Sequence, residues 1–256
     1  MTFNYHEEVT FIKEKVLEAS KLLSGSFEVT EKSARDVVTS HDLAVEAYLV
    51  TAINKQYPKD VIISEETNQE IQEAYRAWVM DPIDGTTNYS RGIPMYGIQL
   101  AFVVDGVTEF SVIYYVRVDE MYVAVKGQGA SCNGIPIKVG NHTQLDQAIV
   151  TMGDFSTTNE VRNSRMLNLI RELMNKAYKL RVHSTACVDL LFLASGKTDV
   201  HVMSANHPWD FLPGLLLVKE AGGIVDESLL NHLGEKRTLM VVGSTQDLYD
   251  QVHRYI

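Results

Sequence analysis

Residues 78–94 read Trp-Val-Met-Asp-Pro-Ile-Asp-Gly-Thr-Thr-Asn-Tyr-Ser-Arg-Gly-Ile-Pro, and no other stretch of the 256 residues restricts the fold so tightly. Trp78, Val79 and Met80 have the bulk of a buried strand that ends at Asp81. Pro82 keeps Asp81 extended, because the residue before a proline is disfavoured in the helical region. Asp84 follows Pro82 after only Ile83, so a turn there aims two carboxylates at a shared point. Gly85-Thr86-Thr87-Asn88 then supplies a flexible glycine, two hydroxyls and a run of backbone N–H groups at a helix start. Carboxylates suit a hard cation, and a helix N-terminus draws anions. Together they predict metal-assisted chemistry on a phosphate.

A second acidic pair closes Val61-Ile62-Ile63-Ser64-Glu65-Glu66, an apolar run with the length of a short buried strand. Far downstream stands His207-Pro208-Trp209-Asp210-Phe211-Leu212-Pro213-Gly214, then an apolar helix-like run to Glu220-Ala221-Gly222-Gly223. These three pieces resemble the inositol monophosphatase family of metal-dependent, lithium-sensitive phosphatases, and the resemblance spans nearly the whole chain. It implies a mixed α+β and α/β fold, layered α-β-α-β-α, of the sugar-phosphatase type that fructose-1,6-bisphosphatase shares. Residues 1–145 are expected to form an α+β half with an antiparallel sheet and most metal ligands. Residues 146–256 are expected to form an α/β half that supplies Asp210 and substrate contacts.

Four carboxylates form the core of the expected site: Glu65, Asp81, Asp84 and Asp210. Two carboxylates about 5 Å apart repel by roughly 3 kcal/mol at an effective dielectric near 20. Crowding four is hard to tolerate within a stability margin of about 5–15 kcal/mol. Either they lie apart, or they hold protons, or they bind divalent ions. Taken singly, each reads as a solvated charge or a helix cap, and Asp210 before an apolar helix reads best as a cap. The resemblance implies more. One metal would take Glu65, Asp81 and the Ile83 carbonyl; a second would take Asp81, Asp84 and Asp210; a third, weaker ion would share Glu65 through water. Oxygen-only donors suit Mg2+, with Mn2+ as a substitute.

The implied reaction is hydrolysis of a phosphomonoester by direct attack of a metal-activated water. Glu65 and Thr86 would position and activate that water, with Asp42 supporting Thr86; Asp42 also reads as a cap of its own helix. Gly85 and Thr86 amides would hold phosphate oxygens. Ser184, Thr185, Ala186 and Asp210 would contact the substrate, although Ser184-Thr185-Ala186 also reads as a helix N-cap. Lys32 stands where the family has a lysine near the metals, or is a solvated charge. None of the eight histidines has metal-ligand spacing, and none is assigned to catalysis.

One departure bears on substrate. Animal-type enzymes of the family carry an inositol-gripping glutamate seven residues before the last metal aspartate; that position is Met203. Inositol monophosphate is therefore the nominal substrate. A fructose-1,6-bisphosphatase, a histidinol-phosphatase and a 3'-nucleotidase or NADP(H) phosphatase are the alternatives. A protein that keeps the fold for macromolecular interaction is the alternative of another class. The resemblance also implies a homodimer.

Composition limits the remainder. Net charge is −10, which argues against direct nucleic-acid contact and requires cations where an anionic substrate binds. Cys132 and Cys187 lie outside zinc-like spacing, and two free thiols are expected over a disulfide. The opening Met-Thr-Phe-Asn-Tyr-His-Glu-Glu lacks a signal-peptide pattern and no apolar run is long enough to span a bilayer, so the expectation is a cytoplasmic protein with no membrane partner.

Periodicity predicts helices over residues 4–23 and 40–56, with a mobile surface loop over 29–36 between them. Strands are expected at 97–104, 110–115 and 121–126, then at 180–182, 199–203, 224–226 and 240–243. Further helices are expected at 159–177, 184–193, 209–220 and 247–255. Gly127-Gln128-Gly129-Ala130 lacks a third glycine and reads as a turn, not a dinucleotide loop.

Overall fold

The computed structural model describes residues 5–33, 36–70 and 74–256. Helix α1 (His6–Ser20) is followed by strands β1 (Val29–Ser33) and β2 (Asp36–Thr39), then helix α2 (Ser40–Gln56). Strands β3 (Val61–Ser64) and β4 (Arg76–Asp84) lead into the short helix α3 (Thr86–Ser90). Next come β5 (Gly97–Val104), β6 (Val107–Tyr115), β7 (Glu120–Val125), β8 (Gly129–Cys132) and β9 (Ile135–Pro136). These seven strands, β3 to β9, form one sheet in sequence order, antiparallel throughout except for the parallel β3–β4 pair.

The chain continues through β10 (Ile149–Met152), α4 (Glu160–Leu173), β11 (Lys179–Val182), α5 (Ala186–Ala194), β12 (Val200–Ala205) and α6 (Pro208–Glu220). It ends with α7 (Glu227–Asn231), β13 (Arg237–Gly243) and α8 (Gln246–His253). A second sheet runs β11-β10-β12-β13, parallel except at its β12–β13 edge.

Period-two alternation decides the layers. Trp78 and Met80 of β4, with Leu100, Phe102, Phe110 and Val112, face α1 and α2 through Ile12, Val16, Val45 and Leu49. The intervening Ala77, Val79, Ala101 and Ile113 face the other way, onto α5 and α6. Those two helices are apolar nearly all round, since Met203, Ala205, Met240 and Val242 of the second sheet cover their far side. That sheet's outer face, Val150, Val202 and Val241, is closed by Leu169 of α4 and Leu248 of α8. The result is the expected α-β-α-β-α layering.

Several local expectations are corrected. Residues 29–36 do not form a loop: β1 and β2 pair as an antiparallel hairpin with Val29 opposite Thr39, while residues 34 and 35 lie outside the described residues. The first strand is mostly solvated on both faces, so no apolar alternation announced it. The strand expected at 224–226 reduces to one bridge between Ile224 and Gly243. Ile149–Met152, unassigned by periodicity, is a central strand of the second sheet. Helix α5 starts at Ala186, because Ser184 takes a left-handed φ of 60°. The 4–23 helix runs His6–Ser20; residue 4 lies outside the described residues. Both cysteines are free, and no helix among the described residues is long and apolar enough to cross a membrane.

Candidate active site

A β-bulge sets the site. Asp81 pairs with Gln99 and Asp84 with Gly97, so three steps along β4 match two along β5. Strict alternation would place Asp81 and Asp84 on opposite faces; the extra residue turns both toward α5. Asp84 Oδ2 then accepts from Thr185 Oγ1 at 2.9 Å and from the Cys187 amide at the start of α5. Asp81 Oδ1 accepts from the Ile83 amide at 2.9 Å, which closes the turn across Pro82. Gly97 carries no side chain where α5 comes close: a Cβ there would stand 3.0 Å from Cys187 Sγ.

Gly85 caps α3 with φ of 91° and directs Thr86 inward. The Thr86 hydroxyl lies 3.0 Å from Asp42 Oδ1 and 2.9 Å from the Ile83 carbonyl, and its single proton serves one of them at a time. Asp42 does both things its sequence context offered. Its Oδ2 accepts from the Thr39 amide at 2.7 Å in a capping box, and its other oxygen faces Thr86. One helical turn along α2, Glu46 accepts from the Glu66 and Thr67 amides, each at 2.9 Å, and fixes the turn that carries Glu65. Sequence reasoning missed Glu46; its signal was the i,i+4 spacing from Asp42 on a buried helix face.

Lys32, projecting from β1, donates to Glu65 Oε1 at 3.1 Å and to Glu66. Burial works against the Lys32 ammonium, but the two glutamates overcome it and hold its pKa above the ordinary value. Burial raises Glu66 to about 7, with Lys32 opposing. Burial also raises Glu65, against the pull of Lys32, and raises Asp42 against its hydrogen bonds.

Asp210 stands in the first turn of α6 and does not cap it; its carboxylate makes no hydrogen bond among the described residues. It keeps partial exposure in the cleft, yet the dense protein around it raises its pKa well above the carboxylate range, with Glu65 and Asp84 adding to the effect. Asp81 is raised well above its ordinary value by burial, then by Glu65, Asp84 and Asp210 in turn. Asp84 is raised by burial despite its hydrogen bonds from α5. Three distant segments thus bring four carboxylates within mutual repulsion. Among the described residues no three of them close into a ready cage of metal donors, although Glu65 and Asp81 lie within hydrogen-bonding reach of each other. As an all-oxygen donor set, anionic and desolvated, they suit a hard divalent cation, which relieves the repulsion that otherwise favours protonation.

A cleft of about 230 Å³ adjoins this cluster, lined by Asp84, Asp210, Arg162, Ser184 and Met203 among others. Larger clefts of about 630 and 740 Å³ lie beside β8 and between α1 and α2, away from the carboxylates. Convergent polar chemistry, not volume, selects the smaller one. Thr185 and Ala186 line it with Ser184, whose Oγ donates to Asp154 Oδ1 at 2.8 Å. Asp154 and Arg162 were not anticipated from the sequence, where a polar loop and an exposed helix turn gave no signal.

Fold and site together define a chain of the layered sugar-phosphatase class. A profile of the inositol monophosphatase family matches residues 6–254, and the chain belongs to that family. It is 35% identical to the Nus factor SuhB of Escherichia coli K12 over 211 residues, covering 80% of this chain and 77% of that protein. It is 33% identical to inositol monophosphatase 1 of Bos taurus over 202 residues, 77% of this chain and 73% of that one. Among solved structures, an IMPase from Thermotoga maritima superposes with a TM-score of 0.84 at 26% identity, covering 97% of this chain and 96% of the other. The extragenic suppressor protein SuhB of Bartonella henselae shares the fold with a TM-score of 0.87 over 97% and 98% of the two chains, at 24% identity.

Proposed function

We propose that this chain is a magnesium-dependent phosphomonoesterase that hydrolyses a small phosphate ester, of which inositol monophosphate is the nominal case. The observation that carries the reading is the mutual repulsion of Glu65, Asp81, Asp84 and Asp210 beside the Thr86–Asp42 pair. Glu65, Asp81 and the Ile83 carbonyl would hold one ion, and Asp81, Asp84 and Asp210 another. Bound magnesium would supply the positive charge that acidifies water and neutralises a leaving alkoxide. Thr86 and Glu65 orient the attacking water, and Asp42 draws on the Thr86 proton so that the hydroxyl oxygen faces that water as an acceptor. Amides of Gly85 and Thr86, at the start of α3 where no preceding helical carbonyl exists, meet the phosphate oxygens. Ser184, Thr185 and Ala186 bound the rest of the ester. A homodimer, which light scattering would measure, belongs to the same reading.

Phosphate release from a panel of monoesters, with magnesium titrated in, tests this. D84N keeps an oxygen for Thr185 and the Cys187 amide, so its melting temperature should hold while turnover falls at least about 100-fold. Undiminished turnover in D84N defeats the two-ion assignment. A second reading, a role in transcription, rests on the name Nus factor borne by relatives 35% identical. The net charge of −10 points such a role toward a protein partner over RNA. A transcription defect on deleting the gene, restored by D84N, would favour it over phosphatase chemistry.

A further inference from the structure

The cleft beside the carboxylates is lined by one permanent cation, Arg162, and by the anionic Asp84, Asp154 and Asp210. Arg162 sits in the first turn of α4, where its amide donates to Asn159 Oδ1 at 2.9 Å. Its guanidinium is poorly served. Nη2 donates to the Asp154 carbonyl, Nε is buried with no hydrogen-bond partner, and no carboxylate pairs with it among the described residues. Burial lowers its pKa, against a smaller opposing pull from Asp154. A guanidinium presents five donors in a planar fork, and most of them here await an acceptor. The Asp154 carboxylate accepts from the Ser184 hydroxyl through Oδ1 and acts on the guanidinium through its charge alone, with no ion pair between the two among the described residues. Also lining the cleft, Met203 is apolar, His201 has its Nε2 buried without a partner among the described residues, and Ser204 adds a hydroxyl.

A planar fork with no carboxylate partner gains most from an oxyanion, which accepts two parallel hydrogen bonds at once. A neutral polyol offers single hydroxyls and no charge. We propose that Arg162 holds a second anionic group of the substrate, so that the preferred esters are phosphomonoesters bearing another phosphate or a carboxylate. This rests on the phosphatase reading above, with the scissile phosphate at the Asp84–Asp210 end and the second anion at the α4 end.

Initial rates of phosphate release at saturating magnesium test it for wild type, R162Q and R162K. Fructose 1,6-bisphosphate and 3-phosphoglycerate represent esters with a second anionic group and separate phosphate from carboxylate. Glycerol 2-phosphate and inositol 1-phosphate represent esters with none. Wild type should favour the esters with a second anion, and R162Q should raise KM for them about 10- to 100-fold, with kcat little changed. Its loss on esters without one should be at least about tenfold smaller, and R162K should recover part of the difference. Equal losses on both classes, or a wild-type preference for esters without a second anion, overturn the proposal. If no ester is hydrolysed, the phosphatase reading fails. Thermal stabilisation by fructose 1,6-bisphosphate then decides this one: lost in R162Q it stands, and absent from wild type or unchanged in folded R162Q it falls.

Discussion

Gly85 is where backbone and site meet in one residue. Its φ of 91° excludes most side chains, and a Cβ there would stand 2.8 Å from the Met95 carbonyl and 3.2 Å from Thr185 Cβ. G85A should therefore lose roughly 1–3 kcal/mol from backbone strain alone. Steric contact with Met95 then shifts Thr86 away from Asp42, so turnover should fall more steeply than the melting temperature; a wild-type kcat in G85A would refute the link. Asp42 shows why the bland and the functional readings of a carboxylate need not compete. It has two oxygens, one for the capping box and one for Thr86. Asp210 went the other way: local context suggested a cap, and the side chain caps nothing. A carboxylate in a first helical turn has several staggered positions, and only its neighbours choose among them.

At the scale of elements, α2 was legible to the residue, because Thr39 and Asp42 mark its start and Pro58 follows its end. The strand Gly97–Val104 was equally legible, being apolar apart from Gln99 and bounded by turn residues. The hairpin of β1 and β2 was not, since solvated strands carry no period-two stripe. The bulge in β4 was half legible: Pro82 announced an interruption, while its register against β5 belongs to the pairing. Close packing of α5 on α6 had no local signature either. It depends on Gly214, where a Cβ would lie 2.7 Å from Leu190 Cβ and 2.3 Å from its Cδ1. G214A should cost about 1–3 kcal/mol through overpacking and move Asp210 relative to Asp84. A melting temperature lowered by several degrees, with partial recovery in G214A/L190A, is expected. No recovery in the double variant would place the damage elsewhere.

For the whole molecule, the carboxylate cluster links metal, protons and stability. Asp81, Asp84 and Asp210 have folded pKa values above their ordinary ones, so protons stabilise the metal-free fold. That contribution is complete below the unfolded values and is lost as pH rises through the folded ones. Under the proposed assignment magnesium would compete with those protons. Added magnesium should therefore raise the melting temperature more at about pH 8 than at about pH 5.5, measured by thermal scanning after chelation. An equal rise at both pH values would contradict it. His201 acts in the opposite sense: burial lowers its pKa, so the fold favours the neutral ring. Its contribution is present above the unfolded value and declines as pH falls toward the folded one. The sequence by itself determined most helices and strands, because period-two and 3.6-residue patterns state which face of an element is apolar, while the layering followed from the family resemblance. It also determined the carboxylate-bearing turn at residues 81–88, where proline restricts the backbone and glycine permits a left-handed φ. Only the tertiary structure decided that Glu46 holds the turn carrying Glu65, that Lys32 bridges Glu65 and Glu66, and that Arg162 reaches the cleft with no carboxylate partner. Periodicity encodes a direction but not a partner, and those partners lie tens of residues apart or more along the chain.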